Sequence, residues 1–305
     1  MEYPEQPTVS PYKFMGYCTT YRYYPIRPST KRSTAEKRIR LHKAPRDNFP
    51  IPFTTAYEPE PSRIRISQFL ILPPFQSGGH GARFYQAIYK HYVSDASVFE
   101  ITVEDPNEAF DDLRDLNDLL FLRSHEMLSK LKINADVQVS KRGRIPTSRI
   151  LEPIIREGLR KSTKMAQRQF DRVLEMELLS RIPKNIRKSM MLEKTPLNTP
   201  ETKRAQNEYR LWTLLVRQRL YKHNMDTLIQ LDAPERIEKL EEAAGGVEMD
   251  YGRMLGKLER GMKKNGEQLA EGLKTVEESR KRAREEDEEV VEGDGEAKKA
   301  KTAKA

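Results

Sequence analysis

The chain has 305 residues, of which 37% are hydrophobic and 33% charged, so a good part of it is not packed core. Its formal net charge of +9 suits acidic partners such as nucleic acid or phosphorylated ligands, and equally suits a soluble protein with a lysine-rich surface. The single Cys18 excludes an intramolecular disulfide, five scattered histidines give no zinc-like spacing, and no apolar run approaches the roughly 20 residues of a membrane span; a soluble, intracellular protein without metal or membrane is expected.

In chain order, Lys13 to Tyr24 is aromatic and β-branched with rough alternation, which predicts a strand. From Pro25 to Pro61 prolines recur, Lys31, Arg32, Lys37, Arg38 and Arg40 cluster, and no period is sustained, so residues 25–61 read as a long, disordered insertion. Arg63 to Leu72 alternates and then turns continuously apolar, as a strand does when it enters the middle of a sheet. Pro73-Pro74 stops it. Phe75 to Ala82 follows, with Gly78, Gly79 and Gly81, and then Arg83 to Val93, where Phe84, Ala87, Ile88 and His91 share one helical face. Val98 to Val103 is a second alternating run, with Phe99, Ile101 and Val103 opposite Glu100, Thr102 and Glu104. Strand, glycine loop, helix and parallel strand make a right-handed crossover unit.

Asn107 to Lys132 reads as helix, with Pro106 at its start. Further helical stretches are expected near Leu151 to Ile182 and Glu201 to Leu231, broken by the proline-containing Pro183 to Pro200, and a weaker one past Gly245-Gly246. The stripe Tyr209, Trp212, Leu215, Val216 and Leu220 reads as helix packing. From about Glu277 the chain becomes blocks of charge, which stay solvated, and the basic run Arg280, Lys281, Arg282 and Arg284 suits nuclear import.

Glycines at the start of a helix let backbone N–H groups converge on an anion, with the helix dipole adding partial positive charge. A phosphate-bearing ligand is the first reading of Gly78 to Gly81; a plain connecting turn is the other. A Walker loop is excluded because no Lys-Ser or Lys-Thr follows, and the dinucleotide fingerprint fails because Phe84 takes its third glycine position. What remains is Gln-x-x-Gly-x-Gly, from Gln76 through Gly79 to Gly81, a spacing that occurs by chance in roughly one chain of this length in twenty.

The neighbours corroborate it: an apolar strand before, a helix after, and a second strand ending in Glu104-Asp105-Pro106. This order resembles the acetyl-CoA-binding core of the GNAT acetyltransferases. The blocks ISQFLILPPFQSGGHGARF and EITVEDPNEAFDDLRD are similar to the type B histone acetyltransferase catalytic subunits, over Lys13 to about Arg123 without the insertion, and weakly through later helices. The resemblance implies an α+β fold, a GNAT-like mixed sheet with flanking helices in 1–135; the helical stretches and charge blocks read above add a helical extension in 146–262 and a disordered charged tail in 277–305, and the resemblance assigns no role to that tail or to the insertion. It also implies an N-terminal domain and earlier strands that are not found here, so the chain is expected to be a truncated form, poorly stable or inactive by itself.

By the same resemblance Glu104 is the general base, with Asp105 second; an acidic cap to the following helix is the alternative for both. The backbone of Phe69, Leu70 and Ile71 would bind the cofactor's pantetheine arm as a further strand, Gln76, Ser77, Gly78, Gly79, His80, Gly81 and Ala82 would surround the pyrophosphate, and Asn107 would add a contact, while Leu116 stands where a polar contact is expected. The function implied is transfer of acetyl from acetyl-CoA to lysines in the tail of the newly made type-four core histone, with a WD-repeat histone-binding subunit as partner, in nucleus and cytoplasm. A non-catalytic histone- or nucleic-acid-binding protein and a small-molecule N-acetyltransferase of the same superfamily are the rivals, and direct nucleic-acid binding stays open.

Overall fold

The computed structural model describes residues 12–25, 61–140, 145–192 and 199–261. The tail at 277–305 and all of the expected insertion except Pro25 and Pro61 lie outside the described residues.

Three strands form one mixed sheet in the order β1 (Gly16–Tyr23), β2 (Ser62–Ile71), β3 (Val98–Val103), with β1 antiparallel and β3 parallel to the central β2. The parallel pair is joined through α1 (His80–Ser94), the crossover that the sequence predicts. Two irregularities decide which side chains reach the core. Thr19 pairs with Gln68 but Thr20 pairs with Ile66, so Ser67 is a bulge residue on β2. Before it, Ile64 and Ile66 are buried on the α1 side, where Thr20, the partner of Ile66, meets the Tyr92 hydroxyl of α1 at 2.6 Å. After it the alternation is reset, and Phe69 turns to the same side, its ring 5.4 Å from Phe84 of α1 and 4.8 Å from Phe110. The second irregularity corrects an expectation. Ser62 pairs with Val98 and Arg63 with Glu100, so Phe99 is skipped: Val98 and Ile101 are 1% and 2% exposed, whereas Phe99 is 41% exposed beneath the Arg63 guanidinium. Phe99 therefore does not share the core face of Ile101.

Asn107 caps α2 (Glu108–Arg123), its side-chain oxygen accepting from the Phe110 N–H at 2.8 Å, and the 3-10 turn Glu126–Lys130 follows. The later helices are α3 (Thr147–Ile150), α4 (Pro153–Thr163), α5 (Gln167–Arg181), α6 (Lys184–Met191), α7 (Pro200–His223) and α8 (Met225–Leu228). The expected stripe on α7 is buried in helix packing: Trp212 donates its indole N–H to the Glu175 carbonyl of α5 at 2.9 Å, and Arg219 holds the Glu175 carboxylate with two 2.8 Å bonds.

Side-chain bonds tie α5 to α2. Arg172 and Gln169 donate to Asp115 at 2.6 and 3.0 Å, and Arg123 donates to Glu177 at 2.6 Å. Asp118, fully enclosed, accepts from the Tyr85 hydroxyl at 2.8 Å and from Gln169 at 2.9 Å, and burial pushes its carboxyl up to about 6 against the pull of Arg114.

The chain divides into two compact units, Met1–Glu248 and Met249–Ala305. Residues 233–248 of the first are helical, and Gly245-Gly246 lies inside that helix instead of preceding one. The second unit is helical over 249–261. No helix among the described residues is long and apolar enough to cross a membrane.

Candidate active site

The β2–β3 ladder ends where Ile66 meets Val103, and the Glu104 N–H closes it with a 2.9 Å bond to the Ile66 carbonyl. β2 runs on for Ser67 to Ile71 with β1 on one side and, among the described residues, no strand on the other. Alternate backbone groups of such a segment point to the open side, so it offers an extended ligand a strand-like edge. At 3.3 Å per residue the edge is roughly 13 Å long.

Glu104 stands at one end of it. Its Oε2 accepts a 2.7 Å hydrogen bond from the Ser67 hydroxyl, and it lies on the sheet face that carries Glu100 and Thr102, as the alternation predicts. Asp105 takes a positive φ of 35° in the turn that leads to Asn107 and α2, which separates its backbone conformation from that of the strand. Asn107 spends its side-chain oxygen on the helix cap.

The glycine loop stands at the other end. Pro73–Phe75 form one 3-10 turn, and the Gln76 side-chain amide donates to the Ile71 carbonyl at 2.8 Å, binding the loop back to the strand it left. Ser77 and Gly79 both have positive φ, 63° and 75°. Gly79 is the N-cap of α1, a position where a Cβ would meet nothing within 4 Å, and no side chain caps the helix. The amides of His80, Gly81 and Ala82 therefore begin α1 without intrahelical acceptors, at the positive end of the dipole. His80 and Arg83 are joined at 2.8 Å, His80 lies edge-on to Phe75, and the Lys13 ammonium sits 5.0 Å from the Phe75 ring centre. His80 and Arg83 thus lie in the first turn of a helix start without a side-chain cap, an arrangement suited to an anion, with Lys13 against Phe75 of the same loop.

The three glycines are not equivalent. Gly79 is favoured by its φ; Gly81 is crowded, since a Cβ there would stand 2.9 Å from Leu113 Cδ1 of α2 and that side chain would have to shift; and a Cβ on Gly78 would come within 3.1 Å of the His80 ring. Leu70 is 41% exposed, while Phe69 packs inward, so neighbouring members of the expected cofactor edge present different side chains but one backbone line. Ser67, Lys13 and Arg83 are neighbours of the candidate site that sequence reasoning did not name. The signal for Ser67 was present: two successive polar residues, Ser67-Gln68, interrupt an otherwise alternating strand, as a bulge does.

No protein-family model matches the chain. Among curated proteins, it is 43% identical over 252 residues to the histone acetyltransferase type B catalytic subunit of Pyricularia oryzae, a match covering 82% of this chain and 51% of that protein. The proteins of the same description from Gibberella zeae and Neurospora crassa are 41% and 42% identical, over 85% and 83% of this chain and 52% of each relative. The chain spans about half the length of the curated relatives it matches.

Proposed function

The chain is a relative of the histone acetyltransferase type B catalytic subunits over about four-fifths of its own length and half of theirs, and from this we propose that it carries the acetyl-CoA-binding and base-bearing part of a protein lysine acetyltransferase. The observation that carries the reading is the open β2 edge from Ser67 to Ile71, with a carboxylate at one end and an uncapped helix start at the other. The mixed sheet and parallel crossover support a GNAT architecture. In this reading the backbone of Phe69, Leu70 and Ile71 holds the pantetheine arm, and one of their amides polarises the thioester carbonyl. The α1 amides, with His80 and Arg83 beside them, receive the pyrophosphate.

The chemistry needs a base. At pH 7 only on the order of one free lysine in 10³ is unprotonated, and the thioester is attacked by the neutral amine. Glu104 takes the amine proton as the nitrogen bonds to the acetyl carbon, the carbon–sulfur bond breaks, and the departing thiolate takes up that proton so that coenzyme A leaves as the thiol; the Ser67 hydroxyl fixes one of the Glu104 carboxylate oxygens. The substrate class is a core histone tail, that of newly made type-four histone, with a WD-repeat histone-binding subunit as partner and nucleus and cytoplasm as the places of action. Incubating the protein with labelled acetyl-CoA, a panel of histone-tail peptides and a polyamine tests this: label is expected on peptide lysines. Transfer to the polyamine alone supports the small-molecule enzyme, and histone binding without transfer supports the non-catalytic protein.

A further inference from the structure

We propose that the helical part of the chain holds a second ligand site, a cleft for an organic anion with an apolar body. The cleft has a volume of about 470 Å³ and opens between α3, α4, α5 and α7. None of its lining belongs to β2, the glycine loop or Glu104, so it is separate from the site above. Its volume falls in the range of small-molecule pockets, roughly 300 to 1,000 Å³, and pockets between packed helices are a common form of such sites.

Its floor is apolar, made by Leu151, Leu174, Leu178 and Leu215, all buried. Its two carboxylates are already matched: Asp171 accepts from Arg156, and Glu175 is held by Arg219 through two 2.8 Å bonds. Arg168 and Lys222 also line the cleft, both exposed and neither within ion-pair distance of a carboxylate among the described residues, with Asp111 of α2 the carboxylate near enough to feel the Arg168 charge. Arg168 also lies in the first turn of α5, whose N-cap Ala166 offers no side-chain cap, so the positive end of a 15-residue helix adds to the same lining. A cation entering the cleft would have to displace arginines from Asp171 or Glu175, whereas an anion meets Arg168 and Lys222, neither held in a close ion pair, above a hydrocarbon floor. The complementary ligand is a carboxylate or phosphate head on a hydrocarbon chain.

Calorimetric titration of the full chain at low ionic strength with octanoate, octyl phosphate and octylamine tests this. Saturable one-to-one binding of octanoate, of octyl phosphate, or of both is expected, the pattern distinguishing a carboxylate from a phosphate head, and octylamine should bind at least tenfold more weakly. Arg168→Glu with Lys222→Glu should weaken anion binding at least tenfold and leave the thermal transition in place, because both side chains are exposed and neither is held in a close ion pair. The neutral pair Arg168→Gln and Lys222→Gln should fall in between, which separates lost charge from lost fold. Failure of both anions to bind at millimolar concentration overturns the proposal, and so does octylamine binding as tightly or anion binding unchanged in the charge-reversed pair.

Discussion

The Ser67 hydroxyl donates to Glu104 Oε2 at 2.7 Å, so the residue that breaks the β2 ladder is the one that fixes the carboxylate at the end of β3. The bulge does two things at once. It resets the side-chain alternation, so that Phe69 packs on α1 and α2, and it lies where β2 loses its partner, leaving a free edge beginning beside Glu104.

Replacing Glu104 with Gln keeps the shape and removes the proton acceptor. Turnover on a histone-tail peptide should fall by roughly 10² or more, with acetyl-CoA affinity unchanged. Rates measured from pH 7 to 9 check this; a variant that matches the parent throughout would show that Glu104 is not the base.

Gly79 and Gly81 should respond differently to valine. At Gly79 nothing crowds the new side chain, but φ is 75°, where a non-glycine residue costs roughly 1–2 kcal/mol, so the loop shifts and cofactor affinity should drop with only a small loss of stability. At Gly81 the side chain meets Leu113 Cδ1 at 2.9 Å, and overpacking of about 1–3 kcal/mol should appear mainly in thermal unfolding. Equal effects of the two variants on affinity and on Tm would contradict this division.

Asp118 gives the fold a pH dependence of known sign. Burial raises its carboxyl to about 6 in the folded chain, above the usual range near 3.9, so its favourable contribution is full below about 3.9 and is lost as pH rises through about 6. Tyr85 and Gln169 donate to it, and Arg114 and Asp115 are the charges nearby. Asp118→Asn removes the titration but sets an amide donor against Gln169. The parent should be more stable than the variant at pH 5, and the gap in Tm should narrow toward pH 7.5. A constant gap would contradict it.

The crossover unit was legible because its signals are local: Val98 to Val103 is a strand with the boundaries the alternation predicts, and the Pro73-Pro74 stop falls two residues after Ile71. The helix begins at His80, inside the glycine run, where Arg83 was expected, because Gly79 in the left-handed conformation can itself serve as the cap. Phe99 was assigned to the wrong face since a bulge in pairing with β2 is a property of two strands and leaves no trace in β3 alone. The break at Lys164 to Ala166 within the expected helix from Leu151 to Ile182 is of the same kind: the Ile101 N–H takes the Lys164 carbonyl at 2.8 Å, a long-range bond that no periodicity foretells. Gly245-Gly246 shows the reverse, a helix that carries two poor formers through its interior. Of the candidate site, Glu104 and the loop were singled out by spacing and resemblance, whereas the Ser67-Gln68 interruption marks a bulge in the sequence but only the register brings Ser67 to Glu104.

The central claim is that the open β2 edge and the uncapped α1 start together bind acetyl-CoA. Calorimetric titration of the 305-residue chain with acetyl-CoA at low temperature tests it most directly. Saturable one-to-one binding is expected, retained by Glu104→Gln and weakened by Gly79→Val. No binding by a chain that unfolds cooperatively, or equal affinity in the parent and Gly79→Val, would contradict it.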